Sequence, residues 1–218
     1  MADIQSIMQG ISIWALPVLL AIVLHEVAHG WMAYKLGDDT AFWLGRLSLN
    51  PLRHIDPVGT IVIPLVLVVA GSPFLFGYAK PVPINWRKLR NPKRDMVWVA
   101  LAGPLTNILL AIISTFLLWL VAMMPASWVW AAEPLSLMLQ ASILINLVLC
   151  IFNLLPLPPL DGGRVAVGLL PQPYSTYLSG IEPYGFMIIV ALLLLGILQD
   201  LIGPLVMLGA QLLLGLAL

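Results

Sequence analysis

Apolar residues run along this chain in long unbroken blocks, not in the alternation or narrow stripes of a water-soluble fold. Ile11 to Tyr34, Val97 to Met124 and Leu135 to Leu155 are each long enough to cross a bilayer, for which about 20 residues suffice. Pro17 is positioned to kink the first of them. Pro57 to Gly71 is apolar but short, contains Pro64 and is bounded by Gly59 and Gly71, which reads as a re-entrant or interfacial segment. Tyr184 to Leu198 and Leu201 to Leu216 read as a closing hairpin, with one kinked helix as the alternative. Leu44 to Asn50 alternates at strand period, and Gly77 to Ile84 is extended, with Pro81 and Pro83 confining it to an edge. A small β-sheet at the membrane surface is expected from these two stretches, an interfacial loop being the alternative. The fold class is thus an all-α polytopic membrane protein. It has three full transmembrane helices, a re-entrant segment, a small membrane-surface β-sheet and a C-terminal helical hairpin.

Composition agrees. The chain is 61% hydrophobic and 9% charged, against about 25% charged in an ordinary soluble domain. Its formal net charge of zero offers nothing to a nucleic acid. Cys150 is the only cysteine, so no internal disulfide forms, and it reads as apolar filling. The first residues carry no Lys or Arg, a poor start for a cleaved signal peptide, so the first span is expected to stay attached. One membrane domain is expected over residues 1–218, with a core at about 10–165 and C-terminal helices at about 184–217.

The chemistry sits in the first block. His25-Glu26-Val27-Ala28-His29 is an H-E-x-x-H sequence. On a helix, positions i and i+4 share a face, so both imidazoles reach one metal ion. Glu26 then lies beside the open coordination position, where a carboxylate can take a proton from water. Ionisable groups are costly inside a bilayer and mark function by default. The bland alternative is a helix face that happens to be wet.

Two histidines leave zinc one protein ligand short. The acidic candidates are Glu133, Asp161, Glu182 and a few loop aspartates. Basic residues collect on the cytoplasmic side. Lys35, Arg46 and Arg53 lie in one loop, and Lys80, Arg87, Lys88, Arg90, Lys93 and Arg94 in the next. Both loops are therefore expected in the cytoplasm, which requires residues 57–71 to dip in and return. The second span then runs out and the third runs back, so Asp161 arrives at the level of the histidines. Glu133 is left at the far surface. If residues 57–71 crossed alone, Asp161 would face the opposite side. His25, His29 and Asp161 are the expected ligands of one Zn²⁺ per chain, in the cytoplasmic half of the cell membrane.

Asn107, Asn146 and Asn153 lie in or beside spans, and buried amides in lipid must find partners. One reading has Asn107 and Asn153 bonding an extended substrate backbone or the oxyanion at the attacked carbonyl. The other, preferred for Asn146, is glue between helices. Arg164 is read as facing headgroups or an acidic partner rather than Asp161, and His54 as interfacial rather than a ligand.

Ala102-Gly103-Pro104-x-x-Asn107, Asn153-x-x-Pro156 and Leu160-Asp161-Gly162-Gly163, together with H-E-x-x-H, resemble the site-2 protease family. These are intramembrane zinc metalloproteases of peptidase family M50. Gly37-Asp38-x-Thr40-Ala41, Leu49-Asn50-Pro51, His54-Ile55-Asp56-Pro57-x-Gly59 and Ala79-Lys80-Pro81-Val82-Pro83 resemble the compact prokaryotic subgroup without PDZ or CBS domains. The resemblance covers most of residues 15–165. It implies zinc on His25, His29 and Asp161, Glu26 as general base, and Asn107 and Asn153 as substrate or oxyanion contacts. The expected activity is hydrolysis of peptide bonds within or beside a transmembrane segment of a membrane-protein substrate. The alternatives are an idle metal-dependent scaffold, a zinc transporter, and a prenyl-protein protease. Glu26 argues against the first, clustering of ionisable groups at one depth against the second, and the aspartate ligand against the third.

Overall fold

The computed structural model describes residues 4–63, 65–66, 77 and 79–217. Helix α1 spans Ile4–Lys35 with Pro17 inside it, and α2 is the single turn Thr40–Trp43. Two long helices follow, α3 at Pro92–Ala122 and α4 at Val129–Asn153. Short helices α5 (Asp161–Leu169) and α6 (Tyr174–Ser179) occupy a stretch for which the sequence suggests no element. The chain ends in α7 (Glu182–Leu194) and α8 (Ile197–Ala217).

Helix α3 is the axis of the bundle. It packs on α1, α4, α5 and α8, while α1 also packs on α4. Small residues permit this: Ala21, Ala33, Ala100 and Ala111 are at most 1% exposed. Large apolar side chains such as Leu16, Ile112, Phe116 and Leu205 are more than half exposed on the outside. Small residues between helices and large ones facing outward are the arrangement for a lipid solvent, where close backbone approach drives association. The protein is a multi-pass helical membrane protein.

Four described helices, not three, are long and apolar enough to cross a membrane: α1 from Met8, α3, α4 with the turn before it, and α8. The C-terminal pair breaks earlier than expected, at Gly196, whose φ of +76° favours glycine. That leaves α7 short and gives α8 its 21 residues.

The expected β-sheet is absent among the described residues. Gly45, at φ +63°, turns the chain after α2, and Arg46 N–H bonds back to the Ala41 carbonyl at 2.8 Å. In the second stretch side chains take the groups a partner strand would need. Arg46 donates to the Lys80 carbonyl at 2.8 Å, and Val82 N–H donates to Glu26 Oε2 at 2.7 Å. Pro81 and Pro83 bring no N–H at all.

The segment expected to be re-entrant begins as a π-helical turn at Pro57–Val62, capped by Asp56 on the N–H groups of Val58 and Gly59. Most of its remainder, to Gly71, lies outside the described residues. Residues that flank it meet: Lys80 N–H donates to the His54 carbonyl at 2.9 Å.

Candidate metal centre

Helical spacing in α1 places His25 and His29 on the face that meets α3, where they are 7% and 6% exposed. Each ring is held from behind. His29 Nδ1 lies 2.7 Å from the Val99 carbonyl, and His25 Nδ1 lies 2.6 Å from Asn107 Oδ1. A carbonyl can only accept, so both Nδ1 atoms carry the proton and both Nε2 atoms keep a lone pair. The two Nε2 atoms are 2.9 Å apart and therefore share no hydrogen bond.

Asp161 completes the cluster. It is the first residue of α5, reached through the proline-broken stretch after α4. Its Oδ2 lies 3.2 Å from His25 Nε2 and 3.3 Å from His29 Nε2. That oxygen is buried and meets no hydrogen-bond donor among the described residues. Three electron-pair donors thus face one another in a triangle of about 3 Å edge, which is repulsive unless a cation lies between them. N and O ligands hold zinc at about 2.0–2.2 Å, and the triangle suits that size. The three form the one such cluster of His, Cys, Asp or Glu among the described residues.

Glycine makes the approach possible. A methyl group added at Gly103 would lie 2.5 Å from His25 Cε1 and 2.6 Å from His25 Nε2, and closer still to His29 Nε2. The backbone of α3 therefore passes directly against the two imidazoles. Gly162 and Gly163 let the first turn of α5 lie on the backbone of Leu154 to Pro158, where any side chain would collide. These contacts set the depth of Asp161.

In front of the cluster lies a cavity of about 690 Å³, onto which His25, Glu26, His29 and Asp161 all open. Glu26 is partly exposed there, oriented by the Val82 N–H. The far wall carries Phe152 and Asn153 of α4 and Phe186 of α7.

Comparison with known proteins agrees with this chemistry. The family model for peptidase family M50 matches residues 120–196, the stretch with Asn153 and Asp161. Putative zinc metalloprotease YwhC of Bacillus subtilis (strain 168) is 42% identical over 180 residues, covering 80% of this chain and 77% of that protein. The chain belongs to peptidase family M50. Rip2 of Mycolicibacterium smegmatis, with the same printed description, is 30% identical over 183 residues, covering 81% of this chain and 64% of Rip2. MJ0611 of Methanocaldococcus jannaschii, likewise described, is 30% identical over 172 residues, covering 76% of this chain and 73% of that protein. No solved structure matches.

Within this M50 chain the remaining expected residues divide. Asn153 lines the cavity, its Nδ2 tied to the Leu149 carbonyl at 2.9 Å. Asn107 does not, and the substrate or oxyanion contact expected of it is corrected. It is 0% exposed, and its Oδ1 faces His25 while its Nδ2 donates to Asn146 Oδ1 at 2.8 Å and to the Ala21 carbonyl at 3.3 Å. With both ends of the amide engaged behind the ligand, nothing is left for a substrate. Arg164 pairs with Glu182 at 3.0 Å and stacks over the Trp86 ring at 4.8 Å, so its partner is an acid of α7. His54 is buried and stands outside the metal cluster, and its Nε2 donates to the Ser48 carbonyl at 2.8 Å. Glu133 is exposed at the far end of α4, about 30 Å from Asn153 at 1.5 Å rise per residue.

Two contributors escape a reading of motifs alone. The Val82 N–H is a backbone group, signalled only by its place as a lone donor between two prolines. Asp38, 0% exposed, accepts from Thr40 N–H at 3.0 Å and from Asn85 N–H at 2.5 Å, tying the end of α1 to the segment that carries Val82. A buried acid just after a helix-ending Gly37 is a signal of such a clamp.

Proposed function

We propose that this M50 protein is an intramembrane zinc metallopeptidase that cleaves peptide bonds within or beside transmembrane segments of membrane-protein substrates. The observation that carries the reading is the buried triangle of His25 Nε2, His29 Nε2 and Asp161 Oδ2, whose two rings both turn Nδ1 to an acceptor and which opens on a cavity beside Glu26. When bound there, one zinc ion would supply a Lewis acid that polarises a carbonyl and acidifies water.

The chain's own residues account for the rest. Val99 and Asn107 hold the imidazoles with Nε2 forward. Glu26, steadied by Val82 N–H, takes a proton from the attacking water and delivers it to the departing amine. Asn153 offers the free part of its amide to an extended substrate or to the oxyanion. The largely apolar walls suit a transmembrane segment, which must unwind first because a helix shields its own peptide bonds. The strand edge expected at Leu44–Asn50 has no part here, since no strand forms over that stretch.

The site is assigned to the cytoplasmic half. Lys88 and Arg90 on one basic loop meet Asp39 and Leu36, beside Lys35 on the other, at the α1 end that follows the histidines. Reporters at residues 52 and 90 on opposite sides of the membrane would reject that placement. The deciding experiment compares zinc content and cleavage of a model transmembrane substrate in wild type, Glu26→Gln and Asp161→Ala. Glu26→Gln keeps zinc and loses cleavage, whereas Asp161→Ala loses both. Cleavage by Glu26→Gln overturns the peptidase reading.

A further inference from the structure

Behind His25 a line of polar groups runs through the apolar bundle and out of the cavity's reach. Asn146 of α4 is 1% exposed. Its Oδ1 accepts from Asn107 Nδ2 at 2.8 Å, and its own Nδ2 donates to the Ser142 carbonyl at 2.8 Å and to Ser142 Oγ at 3.3 Å. Ser142 Oγ in turn lies 2.8 Å from Ser114 Oγ of α3.

The direction of this line is set by groups that cannot reverse. The carbonyls of Ser142 and Ala21 only accept, so Asn146 must turn its NH₂ to Ser142 and Asn107 its NH₂ to Asn146 and Ala21. Asn107 then has only its oxygen left for His25. If Asn107 flipped, its NH₂ would face His25 Nδ1, and the ring would have to carry its proton on Nε2. That tautomer has no lone pair at the triangle with His29 and Asp161.

We infer that Asn146 is a positioning residue: acting through Asn107, it fixes His25 as the Nδ1–H tautomer and so keeps Nε2 available to a metal ion. The inference rests on the reading that His25 holds zinc. Asn146 touches neither substrate nor metal. His29 has its own anchor in the Val99 carbonyl and stays outside the line.

The chain has three histidines, at 25, 29 and 54, so ¹⁵N-histidine labelling resolves each ring. In the wild type stripped of zinc, His25 and His29 carry their protons on Nδ1. In Asn146→Leu, His25 becomes a mixture with a clear Nε2–H population, His29 is unchanged, and zinc affinity by chelator competition weakens roughly tenfold, the low end for loss of a group behind a ligand. Ser142→Ala leaves the His25 tautomer as in wild type, because the Ser142 carbonyl remains. A folded Asn146→Leu with wild-type tautomers and wild-type zinc affinity overturns the inference. So does a change that moves His29 as much as His25, which would mark a general loosening. Should Asn146→Leu fail to fold, Asn146→Ser, too short to reach Asn107 and too small to overpack, reads the same outcomes. Absence of zinc binding by the wild type would reject the zinc reading itself, while the tautomer comparison in zinc-free protein still decides the role of Asn146.

Discussion

The two sides of the histidine pair are built on opposite terms. Behind the rings, against α3 and α4, each polar group named is engaged: Asn107, Asn146 and Ser142 take one another's donors and acceptors, and Val99 takes His29. In front, Asp161 Oδ2 meets no donor among the described residues, and Glu26 opens on a cavity. Saturation behind gives orientation, since a low-dielectric interior makes each satisfied bond costly to break. Incompleteness in front gives chemistry, because groups without partners in the protein are those left for a metal, water and substrate. A buried polar group therefore says little about its role until its partners are counted. Asn107 and Asn153 look alike in the sequence, yet they fall on opposite sides of this division.

The comparison breaks most sharply at Glu26. Glu26→Gln lowers kcat by about 10²–10⁴-fold, the usual range for removing a general base, with zinc content unchanged. Equal loss of zinc would show that Glu26 also builds the metal site. Gly103→Ala crowds the rings from α3 at their Nε2 edge. Its methyl group meets both imidazoles, so zinc content falls and overpacking costs about 1–3 kcal/mol, measured by metal analysis and thermal unfolding. Gly10→Ala, where an added Cβ meets nothing, is the control and leaves zinc content unchanged. Val82→Pro deletes the N–H that donates to Glu26. Turnover drops about tenfold, equivalent to one lost charge-assisted hydrogen bond, while zinc affinity holds. If zinc is lost as well, the two sides are not independent.

The smallest effect belongs to the pair Asp39–Lys88, 2.7 Å apart and exposed. The Lys88 ammonium, helped by the Trp43 indole, holds the Asp39 carboxyl below the usual carboxylate range. A depressed carboxylate contributes stability above its unfolded pKa, and the contribution disappears as pH falls through the folded value. Lys88→Met therefore differs from wild type in pH-dependent unfolding most fully above about pH 4, the difference fading below that as pH falls through the lowered folded value, and it is slight throughout because water and salt screen exposed pairs.

Much of this was legible without coordinates, and the reasons for the misses are specific. Long apolar blocks read as spans because only helices satisfy their own backbone in lipid. The strand period of Leu44–Asn50 misled because alternation measures which side chains point one way. It does not measure whether a partner strand exists, and here Arg46, Glu26 and two prolines use up the neighbouring backbone. Asn107 was misplaced because the face of a helix that is apolar all round has no signature in hydropathy. The fourth span was hidden because Gly196 divides the last apolar stretch unequally, which a symmetrical reading of the tail does not anticipate.

What the sequence by itself determined is the local chemistry. H-E-x-x-H puts two imidazoles on one helix face through the 3.6-residue turn. The bias of basic residues, together with the need for a third ligand, singled out Asp161. Which groups stand behind those ligands and which stand in front was decided only in three dimensions. It depends on how closely α3 passes α1 at Gly103 and on where the backbone after α4 sets down Asp161. Those are distances between segments far apart in the chain, and no periodicity within a segment encodes them.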